Sequence, residues 1–252
     1  MQNPYKVKLK ALNLPYKTIL GTASAKTVKG EKIGYLTAIV YLKPSIKICP
    51  LSKLAGCLDP CLESAGRGAF NSVIAARESK TRFYFENREA FLLSIAADIW
   101  SLCNTAKNKH LTPLVRLNGT SDIDYENLIV SDNKNIFQLF PDVQFYDYTK
   151  HPSRNIAGKT PGNYDLTYSY SGITPHNVTI KGLLNPSNSR VAVVFQRQED
   201  IPSNFRGWTT IDGDNTDVRH IEPKTVVVAL YAKGKAKRDY SGFTQIKGRD
   251  YA

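Results

Sequence analysis

Long apolar runs are missing from this sequence, and none approaches the roughly 18 residues that a helix needs to cross a bilayer. No G-x-S-x-G, Walker A, dinucleotide fingerprint or H-E-x-x-H occurs. That removes the commonest hydrolase, phosphate-loop, Rossmann and zinc-protease readings. The four histidines have no spacing that suggests an acid–base pair. Methionine occurs once, tryptophan twice and cysteine four times in 252 residues, which excludes a disulfide-dense scaffold. The first residues, MQNPYKVKLKALNLPYK, are too polar and too broken by Lys and Pro for a secretory leader. A reducing cytoplasm is expected, and the cysteines then need a purpose other than disulfides.

What is present is an ordinary globular composition, 42% apolar and 10% aromatic, enough to bury a substantial core. The net charge of +12 is unevenly placed. Residues 1–50 carry nine Lys and one Glu, and 233–252 carry six Lys/Arg and two Asp, so the chain between has 19 basic and 19 acidic residues. A neutral body with basic ends is more often a solubility device than a nucleic-acid surface, although those ends are the place where phosphates would be met. No Ser/Gly/Pro-rich linker divides the chain. One domain over 1–252 is expected, with a basic N-terminal segment 1–34, a body 35–232 and a basic tail 233–252.

Short apolar runs recur at 35–42, 114–117, 143–146, 166–168, 191–195, 209–211 and 226–231, seven strand candidates. The longest helical stretch comes in two pieces meeting near Asn87, a candidate N-cap. In the second piece Phe91, Leu92, Ile95, Ile99, Leu102, Cys103 and Ala106 form one stripe, which makes Cys103 a core thiol. Weaker helix signals lie at 135–140 and 175–184. Strands alternating with such crossovers predict a parallel sheet, and the fold expected is α/β, a partial (β/α) barrel of mostly parallel strands. Five strands run into short polar segments with glycines or lysines: after Leu117, Tyr146, Tyr168, Ile211 and Tyr231. In a parallel barrel such ends converge on one face, where function sits.

Cys49, Cys57 and Cys61 lie in CPLSKLAGCLDPCLESAGRG, a C-x7-C-x3-C pattern. A helical second half would set Cys57 and Cys61 one turn apart on one face, with Cys49 folded back beside them. Three converging thiolates suit a soft metal or an iron–sulfur cluster. Zinc would want a fourth ligand, and buried cysteines without metal are the plain alternative.

In position, after the first barrel strand and before a helix, this segment resembles the cluster loop of radical S-adenosylmethionine enzymes; Ala55-Gly56-Cys57-Leu-Asp-Pro-Cys61 is the nearest match. The usual C-x3-C-x2-C spacing is altered, and Pro60 stands where an aromatic residue is usual. The chain also resembles a family of phage proteins of the gene product 88 type. The stretches that carry this likeness are the cysteine segment, VRLNGTSDIDYE, QFYDYTK, RVAVVF, TIDGDNTDVR and VALYAKGKAK, and it covers most of 35–237.

These resemblances imply a [4Fe-4S] cluster on Cys49, Cys57 and Cys61 with one open iron, a requirement for reductant, S-adenosylmethionine as a candidate cosubstrate, and the cytoplasm of a bacterial host. Arg116, Asn118, Ser121 and Asp122 occupy the place of the segment that binds the cosubstrate's amino group, with Gly119 allowing close backbone approach.

From the residues alone, Asp147 and Lys150, beside Tyr146 and Tyr148, can hold a small-molecule or nucleotide substrate by ion pairing and stacking. Ser169 stands at the end of its strand. Asp212, Asp214 and Asp217 either form a self-bonded turn, gather a hard cation, or pair with Arg219 or a substrate amine. The expected function is radical-type or redox chemistry at the open iron. The competing class is a non-catalytic protein, stapled by iron–sulfur or zinc, that contacts nucleic acid through its basic termini. Neither class needs a membrane.

Overall fold

A computed structural model describes residues 2–151, Arg154, 160–173 and 190–252, with the side chains of 25 and 26 left aside. The helix expected at 175–184 lies outside these residues. The first half of the chain forms α1 (Pro4–Ala11), β1 (Leu20–Gly21), α2 (Ala25–Glu31), β2 (Tyr35–Val40), α3 (Asn71–Glu86), α4 (Arg88–Asn108) and β3 (Thr112–Arg116). Then come β4 (Ile129–Ser131), β5 (Lys134–Asn135), α5 (Ile136–Leu139), β6 (Gln144–Thr149), β7 (Tyr164–Ser169) and β8 (Arg190–Phe195). The last strands are β9 (Asn204–Phe205), β10 (Trp208–Asp212) and β11 (Val227–Tyr231).

Each of the seven apolar runs falls on a strand of one nine-stranded sheet, ordered β1-β2-β3-β6-β7-β8-β11-β10-β9. Every pairing from β2 through β10 is parallel, and only the two-residue edges β1 and β9 are antiparallel. The sheet is open, not a closed barrel. Strand β11 inserts between β8 and β10, and β9 caps β10, so no strand of the far half pairs with β2.

The two ends nevertheless meet through side chains. Five strand spacings of about 4.8 Å would hold β2 and β11 roughly 24 Å apart in a flat sheet. Yet Lys29 of α2 donates to the carbonyl of Asp214, which pairs with Lys233 just past β11, and the Tyr35 ring meets His220 at 5.1 Å. The sheet therefore curls.

Helix α4 packs against the sheet with every residue from Ala90 to Ile99 buried. Asn87 separates α3 from α4 as expected, but its side chain caps no N–H. Cys103 is half-buried against the main core. The short helix α5 carries a capping box between Asn135 and Gln138.

Both charged ends belong to the body. Asn3 caps α1 and donates to the Ala97 carbonyl at 2.8 Å, while Asp98 of α4 accepts the Ile19 and Leu20 amides at 2.7 and 2.9 Å. At the other end Gln245 bonds across to Val194 and Gln196, Thr244 is fully buried, and Tyr251 packs on Phe195 and Phe205.

Candidate functional site at the carboxyl ends of the parallel strands

Because β2, β3, β6, β7, β8, β10 and β11 point the same way, their carboxyl ends share one face. A cavity of about 350 Å³ opens there. The segment after β2 supplies Cys49, Cys57 and Cys61 to its wall; the end of β3 and the loop beyond supply Arg116 and 118–122. Lys150, Ser169, Asp214, Asp217 and Lys233 come from the ends of β6, β7, β10 and β11, and Phe243 from the tail.

The cysteine segment is built from turns. Cys49 N–H bonds Ser45 O at 2.8 Å, Ala55 N–H bonds Leu51 O at 2.8 Å, and Gly56 takes φ +65° so that Cys57 N–H can return to Ser52 O at 3.0 Å. Residues 57–61 are not helical, so the helix expected to carry Cys57 and Cys61 is absent. The thiols reach the same wall by turn geometry instead. Cys49 Sγ donates to Thr120 O at 3.7 Å and Cys57 Sγ to Ser52 O at 3.6 Å. Burial pushes the Cys49 thiol up to about 12, with Asp122, Cys61 and Cys57 adding to the rise. Cys57 and Cys61 are also raised by burial, Lys150 opposing at Cys57. Among the described residues no group of three or more His, Cys, Asp or Glu is placed so that it could hold a metal ion.

Lys150 is buried, and its ammonium donates to Ser169 O at 2.8 Å and Tyr170 O at 2.9 Å with the Phe243 ring 4.4 Å away. Loss of solvent lowers it to about 8, while Cys57 and Asp122 oppose that fall. Asp122 is spent on structure: it accepts from Lys150 N–H at 2.8 Å, Thr149 Oγ1 at 3.2 Å and Arg154 at 2.7 Å. Asn118 and Ser121 bond each other, and Asn118 closes the loop onto Ile123. Gly119 leaves its room to β2, since a Cβ there would stand 2.6 Å from Val40 O.

Asp147 lies behind the wall, fully buried, accepting the Leu117 and Asn118 amides at 3.2 and 2.8 Å and the Tyr164 hydroxyl at 3.0 Å. Asp212 is exposed and accepts the Asp214 amide at 2.8 Å, closing the self-bonded turn. Asp214 pairs with Lys233, and Arg219 pairs with Glu222 and donates to Tyr148.

Sequence reasoning missed two features of this site. One is the partner of Asp217: the segment 213–221 returns across the sheet so that Asp217 stands 3.5 Å from Arg116 and takes the Tyr146 hydroxyl. The other is Phe243, in a stretch read as a solvated tail. Buried Thr244-Gln245 gave no apolar signal to find it by.

Fold and site define an α/β protein with a thiol-lined cavity at the carboxyl ends of a mostly parallel sheet. The gene product 88 family model matches residues 17–246, and the chain belongs to that family. No curated protein and no solved structure matches the chain. The likeness of the cysteine loop to radical S-adenosylmethionine enzymes has no counterpart among these matches.

Proposed function

We propose that the chain is an iron–sulfur protein that holds a [4Fe-4S] cluster on Cys49, Cys57 and Cys61 at the mouth of an incomplete (β/α) barrel. The observation that carries this reading is the convergence of these three thiols on one cavity from a segment of turns. A single zinc ion with bonds of about 2.3 Å draws its sulfurs to within roughly 3.8 Å of one another. In a cubane each thiolate takes a different iron, so the sulfurs stand further apart. Three thiols serve three irons of a cubane and leave the fourth open, whereas a structural zinc wants a fourth protein ligand. When bound, the cluster would supply one-electron chemistry at an iron with no protein ligand, fed by an external reductant and, with S-adenosylmethionine, of radical type.

The protein's part is to hold charge and exclude water. Lys150, pinned by two carbonyls beside Cys57, offsets the charge of deprotonated thiols. In the metal-free protein the Thr120 and Ser52 carbonyls accept the S–H groups of Cys49 and Cys57, bonds that deprotonation on ligation would release. The remaining wall is left for a small-molecule or nucleotide substrate. Anaerobic purification and reconstitution test the reading: the protein should be brown with a visible charge-transfer band, and Cys49→Ala/Cys57→Ala/Cys61→Ala should be colourless. A colourless wild type carrying stoichiometric zinc overturns it.

A second reading, nucleic-acid contact without turnover, is favoured by the exposure of Lys6, Lys10, Lys32, Lys47, Lys235, Lys237 and Arg238. Retention that falls steeply with salt and is lost when these seven residues are replaced by Gln would support it.

A further inference from the structure

Arg116 is a buried cation, two of whose three guanidinium nitrogens find no hydrogen-bond acceptor among the described residues. Its side chain is 6% exposed, and its Nε and Nη1 meet no hydrogen-bond partner among the described residues. Asp147 Oδ1 lies 3.7 Å from Nε and Asp217 Oδ2 lies 3.5 Å from Nη1, near enough to offset charge but without hydrogen-bond geometry. Both carboxylates are engaged elsewhere. Asp147 accepts two backbone amides and the Tyr164 hydroxyl, and Asp217 accepts the Tyr146 hydroxyl at 3.0 Å. A buried guanidinium with unmatched N–H groups is costly unless something fills it.

The residue borders the cavity, and a ligand there that draws the guanidinium toward itself would supply the missing acceptor. The Tyr148 ring stands 4.7 Å from the guanidinium carbon. The wall also carries Lys29, Lys150 and Lys233, whereas its carboxylates are already spent: Asp122 on Arg154, Asp214 on Lys233 and Asp217 on Tyr146. Arg116 is not the counter-ion of the thiols, whose cationic neighbours are Lys150 at Cys57 and Arg77 at Cys61. We propose that Arg116 is the oxyanion receptor of the cavity, accepting the carboxylate or phosphate of a small substrate. Charge-assisted, two-pronged bonds from a planar guanidinium are the strongest that such a group can receive. The inference goes beyond the cluster reading and does not depend on it.

Calorimetric titration at low ionic strength with malonate and, separately, inorganic phosphate tests it, with chloride as the control anion. One saturable site per chain is expected for at least one of the two, and which one saturates tells carboxylate from phosphate. Arg116→Lys keeps the charge but loses the planar donor set, and should bind at least about tenfold more weakly. Lys247→Gln, away from the cavity wall, should change affinity less than about twofold. In the wild-type chain the Arg116 Nε–H resonance should shift with the same dissociation constant, a readout that survives if a variant fails to fold. Repeating the titration on Cys57→Ser separates the two proposals, because loss of the cluster should leave anion binding intact. Saturation by neither anion, or unchanged affinity in a folded Arg116→Lys protein, overturns the proposal.

Discussion

Tyr146 on β6 donates its hydroxyl proton to Asp217 at 3.0 Å, joining residues 71 apart in the chain. Both are buried, and the bond fixes the segment after β10 against strands on the other half of the sheet. That segment also brings Asp217 beside Arg116, so it completes one wall of the cavity and holds the curl of an open sheet.

Tyr146→Phe removes the donor and leaves a buried carboxylate oxygen short of one partner. A loss of about 1–3 kcal/mol in urea unfolding is expected, with an unchanged m-value. Tyr164→Phe, which removes one of three donors to Asp147, should cost less.

Gly56 stands in the left-handed region at φ +65°, and a Cβ there would come within 2.8 Å of Ser241 Oγ. Gly56→Ala should therefore displace the turn that carries Cys57, at a cost of about 1–3 kcal/mol. Iron retained after reconstitution should fall although no cysteine is touched, whereas Gly66→Ala, with open space around its Cβ, should retain iron.

Much of this architecture was legible in the chain. The seven apolar runs mark all seven parallel strands, most clearly β2, β8 and β11, which are largely buried on both faces and read as near-continuous Val, Ile, Leu, Ala and aromatic residues. Parallel polarity puts the strand ends on one face and the curl of the sheet brings them together, which is why residues spread from Cys49 to Lys233 share one cavity. The exchange of β11 and β10 left no such mark, nor did the two-residue edges β1 and β9, since pairing order is set by long-range packing. Asp147 and Asn118 read as ligand groups because a carboxylate and an amide look alike in sequence whether they face a ligand or tie down backbone. The tail misled for a related reason: Lys235, Lys237 and Lys247 face solvent, while Thr244 and Gln245 are buried through polar bonds.

Deleting 239–252 should consequently unfold the protein and not merely strip charge. It removes the Gly242 carbonyl that Gly172 N–H uses, the Gln245 bonds to Val194 and Gln196, and Tyr251 from the Phe195–Phe205 cluster. Loss of the cooperative thermal transition is the expected outcome. The charge-only variant Lys247→Gln should melt with the wild type, since this side chain is exposed.

Before any cluster is loaded, the thiols should be poor nucleophiles. Burial raises Cys49 from its ordinary 9.0 to about 12, so at pH 8 its thiolate is about a thousandfold scarcer than in an unfolded chain. Because the folded value is the higher one, this contribution to stability is complete below pH 9.0 and disappears as pH rises through about 12. Iodoacetamide labelling of Cys49, followed by peptide mass, should be slow in native apoprotein at pH 8 and should speed up sharply in urea. Fast native labelling would contradict the burial argument.

We propose that Cys49, Cys57 and Cys61 hold a four-iron cluster with one open iron. Iron and sulfide analysis with EPR of the reduced, anaerobically reconstituted protein, recorded with and without S-adenosylmethionine, tests it most directly. About four iron and four sulfide per chain are predicted, with a reduced-cluster signal absent from the triple cysteine variant and altered by the added cosubstrate if that molecule reaches the open iron. Substoichiometric iron with one zinc per chain, or an equal signal in the triple variant, would contradict the account.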